Sequence, residues 1–160
     1  MSQLRELFEE LGFAEVATFI ASGNVLFSSP SKASGQLEAK IAQHLEKALG
    51  YPVDTFVRTA EEVVALSRAK IFPDQDKDGI TVHVGFLREK LPAATARQLS
   101  ALRTAEDEFH VAGREYYWLC RVRSNESKVW SSPAMKALKL PSSSMRNLTS
   151  LRKLVAKQLV

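Results

Sequence analysis

The chain has 160 residues, 45% of them hydrophobic and 25% charged, with a net charge of +4. That balance suits an ordinary globular chain with a sizeable core and excludes global disorder. A single cysteine, Cys120, excludes an intrachain disulfide framework and favours a reducing compartment, so a cytoplasmic protein is expected.

No apolar run approaches the roughly 20 residues that span a bilayer, so no membrane partner is expected. The opening "MSQLRELFEELGF" carries three acidic residues and no apolar stretch of signal-peptide type. The charge is unevenly spread. Residues 1–112 carry a net −4 and residues 113–160 a net +8. The basic third suits phosphate groups, or the acidic part of its own chain, or plain solvation.

"SQLRELFEELGF" has Leu4, Leu7, Phe8 and Leu11 at helical spacing and Gly12 as a stop. "EVATFI" and "VLFSS" read as a hairpin around Ser22-Gly23-Asn24. Leu37, Ile41, His44, Leu45 and Ala48 mark a helix ending at Gly50, and "VDTFVRT" reads as a third strand. A helix is expected from Ala60, then a strand over "ITVHVGFLR" and a helix opening at Pro92. "EFHVAG" and "REYYWLCRVR" form a second hairpin around Gly113, with Tyr116, Trp118, Cys120 and Val122 inward and Tyr117, Arg121 and Arg123 on the other face. A short helix over "PAMKALKL", a link after Pro141 and a last helix over "NLTSLRKLVAKQLV" complete the pattern.

This order predicts an α+β fold of two ferredoxin-like, split β-α-β halves, the first missing its leading strand. We expect one compact domain over residues 1–160 with pseudo-duplicated halves of about 1–78 and 79–160. Loss of a central leading strand exposes the backbone edges of both its neighbours.

The stretches "MSQLRELFEELGFAEVATFIASGNVLF", "VRTAEEVVAL" and "SSSMRNLTSLRKL", in this order, resemble the bacterial family catalogued as domain of unknown function 1697 (DUF1697). Ser22, Gly23, Asn24 and Val25 match its hairpin motif, "ESKVW" places Ser127 and Lys128 on its Ser-Lys segment, and "MRNLTSL" places Arg146 and Asn147 on its ending. The family's usual opening strand and Arg-Gly-Ile-Asn-Val-Gly-Gly loop have no counterpart here, and Leu148 and Thr149 stand where the family prefers Trp and Asn. The resemblance implies the ferredoxin-like pair and brings no activity with it.

"DQDKDGITVHVG" imitates a calcium loop through Asp74, Asp76, Asp78 and Gly79, but Gly85 holds the position of the bidentate Glu. A hydrated acidic turn is therefore the better reading. His44, His83 and His110 lack metal spacing, so neither metal nor cofactor is expected. Tyr117 beside Arg121 and Arg123 suggests base stacking on a sheet, although the RNA-recognition signature is absent. Ser22, Gly23 and Asn24 combine turn chemistry with a polar hairpin tip. Ser127, Lys128, Arg146 and Asn147 offer a second polar cluster for a phosphate or carboxylate, or caps for turns and helices.

The function expected from the sequence is binding of an anionic small molecule, such as a nucleotide, or of nucleic acid through the basic C-terminal half. Two alternatives stay open: a small-molecule enzyme anchored by Ser22, Asn24, Lys128, Arg146 and Asn147, or an N-terminally truncated product without independent activity. The sequence carries no signal of oligomeric state.

Overall fold

The computed structural model describes residues 2–19, 24–29, 34–123 and 125–159. By its internal contacts the chain divides into two compact units, the first ending at Thr59 and the second beginning at Ala60. Helices and antiparallel sheets make up both, and the fold is α+β, its two sheets consistent with two split β-α-β halves.

In the first unit, α1 (Ser2–Glu10) stops at Gly12, whose φ of 86° favours a residue without a side chain. The hairpin strands β1 (Ala14–Phe19) and β2 (Asn24–Ser28) follow, then α2 (Ser34–Leu49). The two strands pair antiparallel, with an irregularity between Ala14 and Ala17 where Glu15 takes a φ of 53°. Leu7, Phe8, Phe13, Val16, Leu37, Ile41 and Leu45 form the core, and Phe13 stacks on Phe27 with ring centres 4.3 Å apart. The Glu10 carboxylate meets the His44 ring at 3.0 Å and ties α1 to α2.

One sequence expectation fails here. "VDTFVRT" has the alternation of a strand, yet residues 53–59 join no ladder among the described residues. A side chain takes the place of a neighbouring strand: the Val57 N–H donates to Glu38 Oε2 at 2.7 Å. Glu38 also lies 3.7 Å from Arg58, both side chains being nearly excluded from water. A carboxylate can satisfy a buried amide as well as a carbonyl can, but it cannot propagate a ladder.

The second unit runs α3 (Ala60–Arg68), β3 (Thr81–Phe86), α4 (Ala93–Ala101), β4 (Asp107–Ala112), β5 (Glu115–Cys120), α5 (Pro133–Leu138), β6 (Ser144–Asn147) and α6 (Leu148–Leu154), with a single 3₁₀ turn at Val129–Ser131 and a π-turn at Val155–Leu159. Its four strands lie in the order β4-β5-β3-β6, and every neighbouring pair is antiparallel. Two interleaved β-α-β crossings, β3-α4-β4 and β5-α5-β6, produce that order, which is the ferredoxin-like arrangement.

Two further expectations are corrected. Residues 144–147, read as a link and a helix start, form the edge strand β6 along His83–Phe86. Four residues without β-branching carry no alternation signal of their own; β3 supplies the partner that extends them. Sequence alternation also left Tyr117 on an open face of β5. Tyr116 through Cys120 are all buried, with Tyr117 only 3% exposed, so both faces of this strand are covered. A run of five apolar residues is the pattern of a strand buried on both sides.

Candidate functional site in the basic C-terminal segment

The segment leaving β5 begins at Arg121. Its guanidinium donates to Glu108 on β4 and, at 3.0 Å, to Asp74 in the acidic loop. The hydrogen bond with Glu108 raises the pKa of Arg121 above its ordinary value, and the hydrogen bond from Arg121 holds Asp74 below its own. The same pattern recurs nearby. Arg152 lies 3.1 Å from Asp76 and donates to the Ser67 carbonyl at 3.2 Å, and Arg114 lies 3.6 Å from Glu62. Glu62, Asp74, Asp76 and Glu108 all come from the acidic part of the sequence, so within the second unit Arg114, Arg121 and Arg152 of the basic third meet carboxylates of the same chain.

These pairs also occupy the acidic loop. Asp74 and Asp76 face arginines, and the Gln75 side chain fills the loop, its Oε1 accepting from the Ile71 and Phe72 amides and its Nε2 donating to the Ala69 carbonyl. Among the described residues no group of three or more His, Cys, Asp or Glu could hold a metal ion.

Ser127 is fixed by a carboxylate twenty positions earlier. Its Oγ donates at 2.8 Å to Asp107 Oδ1, which also accepts from Trp118 Nε1 at 2.7 Å, while Thr104 Oγ1 donates to Oδ2 at 2.6 Å. Asp107 is 1% exposed, and three donors are what a buried carboxylate needs. Nothing in the local sequence marked Asp107 as this hub, apart from Thr104 three residues earlier, a spacing common in turns.

Beyond Ser127 the chain turns through the 3₁₀ residues into α5, capped by Ser132, whose Oγ accepts from the Met135 amide at 3.2 Å. Lys128, Lys136 and Lys139 are exposed along this stretch, and no carboxylate pairs with any of them among the described residues. Lys136 and Lys139 were not singled out from the sequence; Lys136 stands in the last turn of α5 and Lys139 is its C-cap, in left-handed backbone with a φ of 51°.

Arg146 lies on β6 opposite Val84, half-buried, and donates from Nη1 to the Met145 carbonyl at 2.9 Å. Burial lowers its pKa. Asn147 caps α6, its Oδ1 accepting from the Thr149 amide at 2.8 Å. Leu148 is buried and Thr149 exposed. Tyr117 is enclosed and its hydroxyl is pushed up to about 12 by burial, with the charge on Glu115 adding to the shift. Arg123 is exposed and lies 3.9 Å from Glu126. Cys120 is buried with its thiol pKa raised by burial, which keeps it protonated and unreactive.

Ser22 and Gly23 lie outside the described residues, and Asn24 opens β2 in the first unit. The first unit carries a recess of about 270 Å³ lined by Leu11, Gly12, Phe13, Ser29, Gln36, Leu37 and Lys40. A shallow groove of about 460 Å³ runs along α4 and β4, between Ala96, Arg97, Ser100, Ala101 and Val111. None of the candidate residues lines either one. The arrangement around residues 121–147 therefore offers exposed ammonium groups on a fixed backbone rather than an enclosed chamber.

The chain is similar in fold to a conserved bacterial protein from Streptococcus pneumoniae whose structure has been solved. The two share 20% sequence identity and a TM-score of 0.66 over 98% of this chain and 89% of that one. No curated protein matches the chain. A family description, "Protein of unknown function (DUF1697)", matches residues 1–117, which reach from α1 into β5. The Ser127-Lys128 and Arg146-Asn147 segments lie beyond that span. The match takes in nearly three quarters of the sequence, and by it the chain belongs to the DUF1697 family.

Proposed function

We propose that this protein binds phosphate-rich polyanions, nucleic acid foremost, through Lys128, Lys136 and Lys139. The observation that carries this reading is the contrast between two kinds of cation in one basic segment. Arg114, Arg121 and Arg152 meet carboxylates of their own chain, whereas the three lysines project without one among the described residues. An ammonium group is a compact, well-hydrated charge suited to phosphate contact without base readout. Burial of Tyr117 removes the aromatic platform that stacking of bases requires. Binding is accordingly electrostatic, independent of base sequence and steeply dependent on salt.

Fluorescence anisotropy with a labelled single-stranded oligonucleotide tests this. Three phosphate contacts give a slope of about −2 in log affinity against log salt. Lys128→Glu, Lys136→Glu and Lys139→Glu together remove binding at low salt, while a nucleoside triphosphate, with fewer phosphates to engage, competes weakly. Salt-insensitive binding, or a triple variant that binds like the parent, overturns the reading.

A further inference from the structure

The recess of about 270 Å³ in the first unit lies where the end of α1 and the start of β1 meet the early turns of α2. Its apolar wall is made by Leu11, Phe13 and Leu37, and the last two are buried in the core of the unit. Gly12 adds bare backbone to that wall, and a Cβ placed there would meet nothing within 4 Å. Gln36 and Lys40 stand one helical turn apart, so their side chains rise from the same stripe of α2.

Lys40 gives the recess its charge. Its ammonium lies over the Phe13 ring, 5.4 Å from the centroid, within the range of a cation–π contact. Among the described residues no carboxylate pairs with it. A ring face offsets only part of a full positive charge, so the apolar wall carries a cation beside it. Apolar lining with a few converging polar groups is the usual make-up of a small-molecule site.

That combination selects an amphiphilic anion. One ammonium matches the single charge of a carboxylate, and the Gln36 amide adds a second donor for its other oxygen. A phosphate brings up to a second charge that one ammonium leaves uncompensated. Drug-sized ligands fill about 300–1,000 Å³, so the occupant here is smaller than those.

We propose that this recess binds a small monocarboxylate of the arylalkanoate class, its carboxylate toward Lys40 Nζ and the Gln36 amide and its apolar body against Leu11, Phe13 and Leu37.

A titration of the isotope-labelled full chain with phenylpropionate at neutral pH, followed by amide NMR shifts, tests the site. The signals of Gly12, Phe13, Leu37 and Lys40 move along a saturating curve, and those of β3 to β6 stay in place. Phenylpropanol, of similar shape but uncharged, binds about fivefold more weakly, as expected for the loss of one exposed ion pair. Lys40→Met lowers the affinity for the acid by a similar factor and erases its preference over the alcohol, whereas Lys40→Arg keeps that preference. Three results overturn the proposal: no saturable shift at these amides, equal affinity for acid and alcohol, or a preference that survives Lys40→Met. The comparison of acid with alcohol uses the unaltered chain, so it decides the matter whatever the substitution does to the fold. The acid reads the first unit and the oligonucleotide the second, so either reading can fail without the other.

Discussion

The second unit encloses its core under four strands, with β5 buried on both faces and β3 laddered on both edges. Among the described residues the first has two paired strands, and where a further ladder is expected the Glu38 carboxylate satisfies Val57. The contrast separates two ways of holding an extended segment. A ladder fixes a strand through repeated main-chain bonds, so its sequence can be as plain as Ser-Met-Arg-Asn in β6. A side-chain tether satisfies only the groups that one carboxylate can reach, here the Val57 amide beside the Arg58 guanidinium, and does not repeat along the segment. Tryptophan fluorescence reads the units selectively, because Trp118 and Trp130 both lie in the second.

The largest effect is expected at Gly85. It sits on β3 opposite Tyr116, whose ring lies so close that a Cβ at this position would overlap the ring carbons. Tyr116 is 1% exposed, and its hydroxyl meets Ser143 Oγ at 2.9 Å, so the ring has nowhere to go. Gly85→Ala should destabilise the second unit by about 3 kcal/mol or more through overpacking, read as a fall in the urea midpoint of tryptophan fluorescence. Trimming the ring with Tyr116→Leu in the same chain should recover part of the loss. A midpoint unchanged by Gly85→Ala would mean that β3 and β5 are not packed as described.

Glu38→Ala probes the other side of the comparison. It removes the acceptor of the Val57 amide and the carboxylate beside the buried Arg58 guanidinium. A hydrogen bond to a charged group contributes about 2 kcal/mol, so exchange at residues 53–59 should accelerate by roughly thirtyfold. Glu38→Gln keeps an acceptor and should restore much of the protection. If both variants exchange like the parent, the segment is held by something other than this tether.

How far the sequence revealed this contrast depends on where each signal resides. The β4–β5 hairpin was legible because its turn glycine and its β-rich flanks are adjacent in the chain. Strand β6 was not legible, since the reason it is extended lies in β3, some sixty residues earlier. Residues 53–59 failed in the opposite sense: alternation showed a segment able to form a strand, but a ladder also needs a neighbour. Tyr117 was assigned outward by a rule that holds only when one face of a sheet meets water. At the candidate site the ambiguity was chemical. Ser127 and Asn147 are small polar residues at the starts of elements, where a cap and a ligand look alike, and only Asp107 and the Thr149 amide show what each is bonded to. Lys128 was marked by its Ser-Lys segment, whereas Lys136 and Lys139 gave no motif; they stand out only beside Arg114, Arg121 and Arg152, which meet carboxylates.

The smallest effect concerns His83, at the centre of the complete sheet. It is stacked on Trp118 with ring centres 4.8 Å apart, and its buried Nε2 has no hydrogen-bond partner. Burial lowers its pKa from the ordinary 6.5, because the charged imidazolium loses water and gains nothing in return. The unfolded chain therefore takes up a proton as pH falls through 6.5, while the folded chain takes it up only at lower pH. Between those two points the unfolded state binds more protons, so stability is fully present above pH 6.5 and declines below it. His83→Phe keeps a ring against Trp118 and removes both the titration and the unpartnered nitrogen. The variant should lose the downward slope that the parent shows below pH 6.5 in tryptophan-monitored urea unfolding, and it should be at least as stable at pH 5. A parent curve flat across this range, or a slope shared equally by the variant, would place the proton uptake elsewhere and leave His83 as a neutral packing residue between β5 and β6.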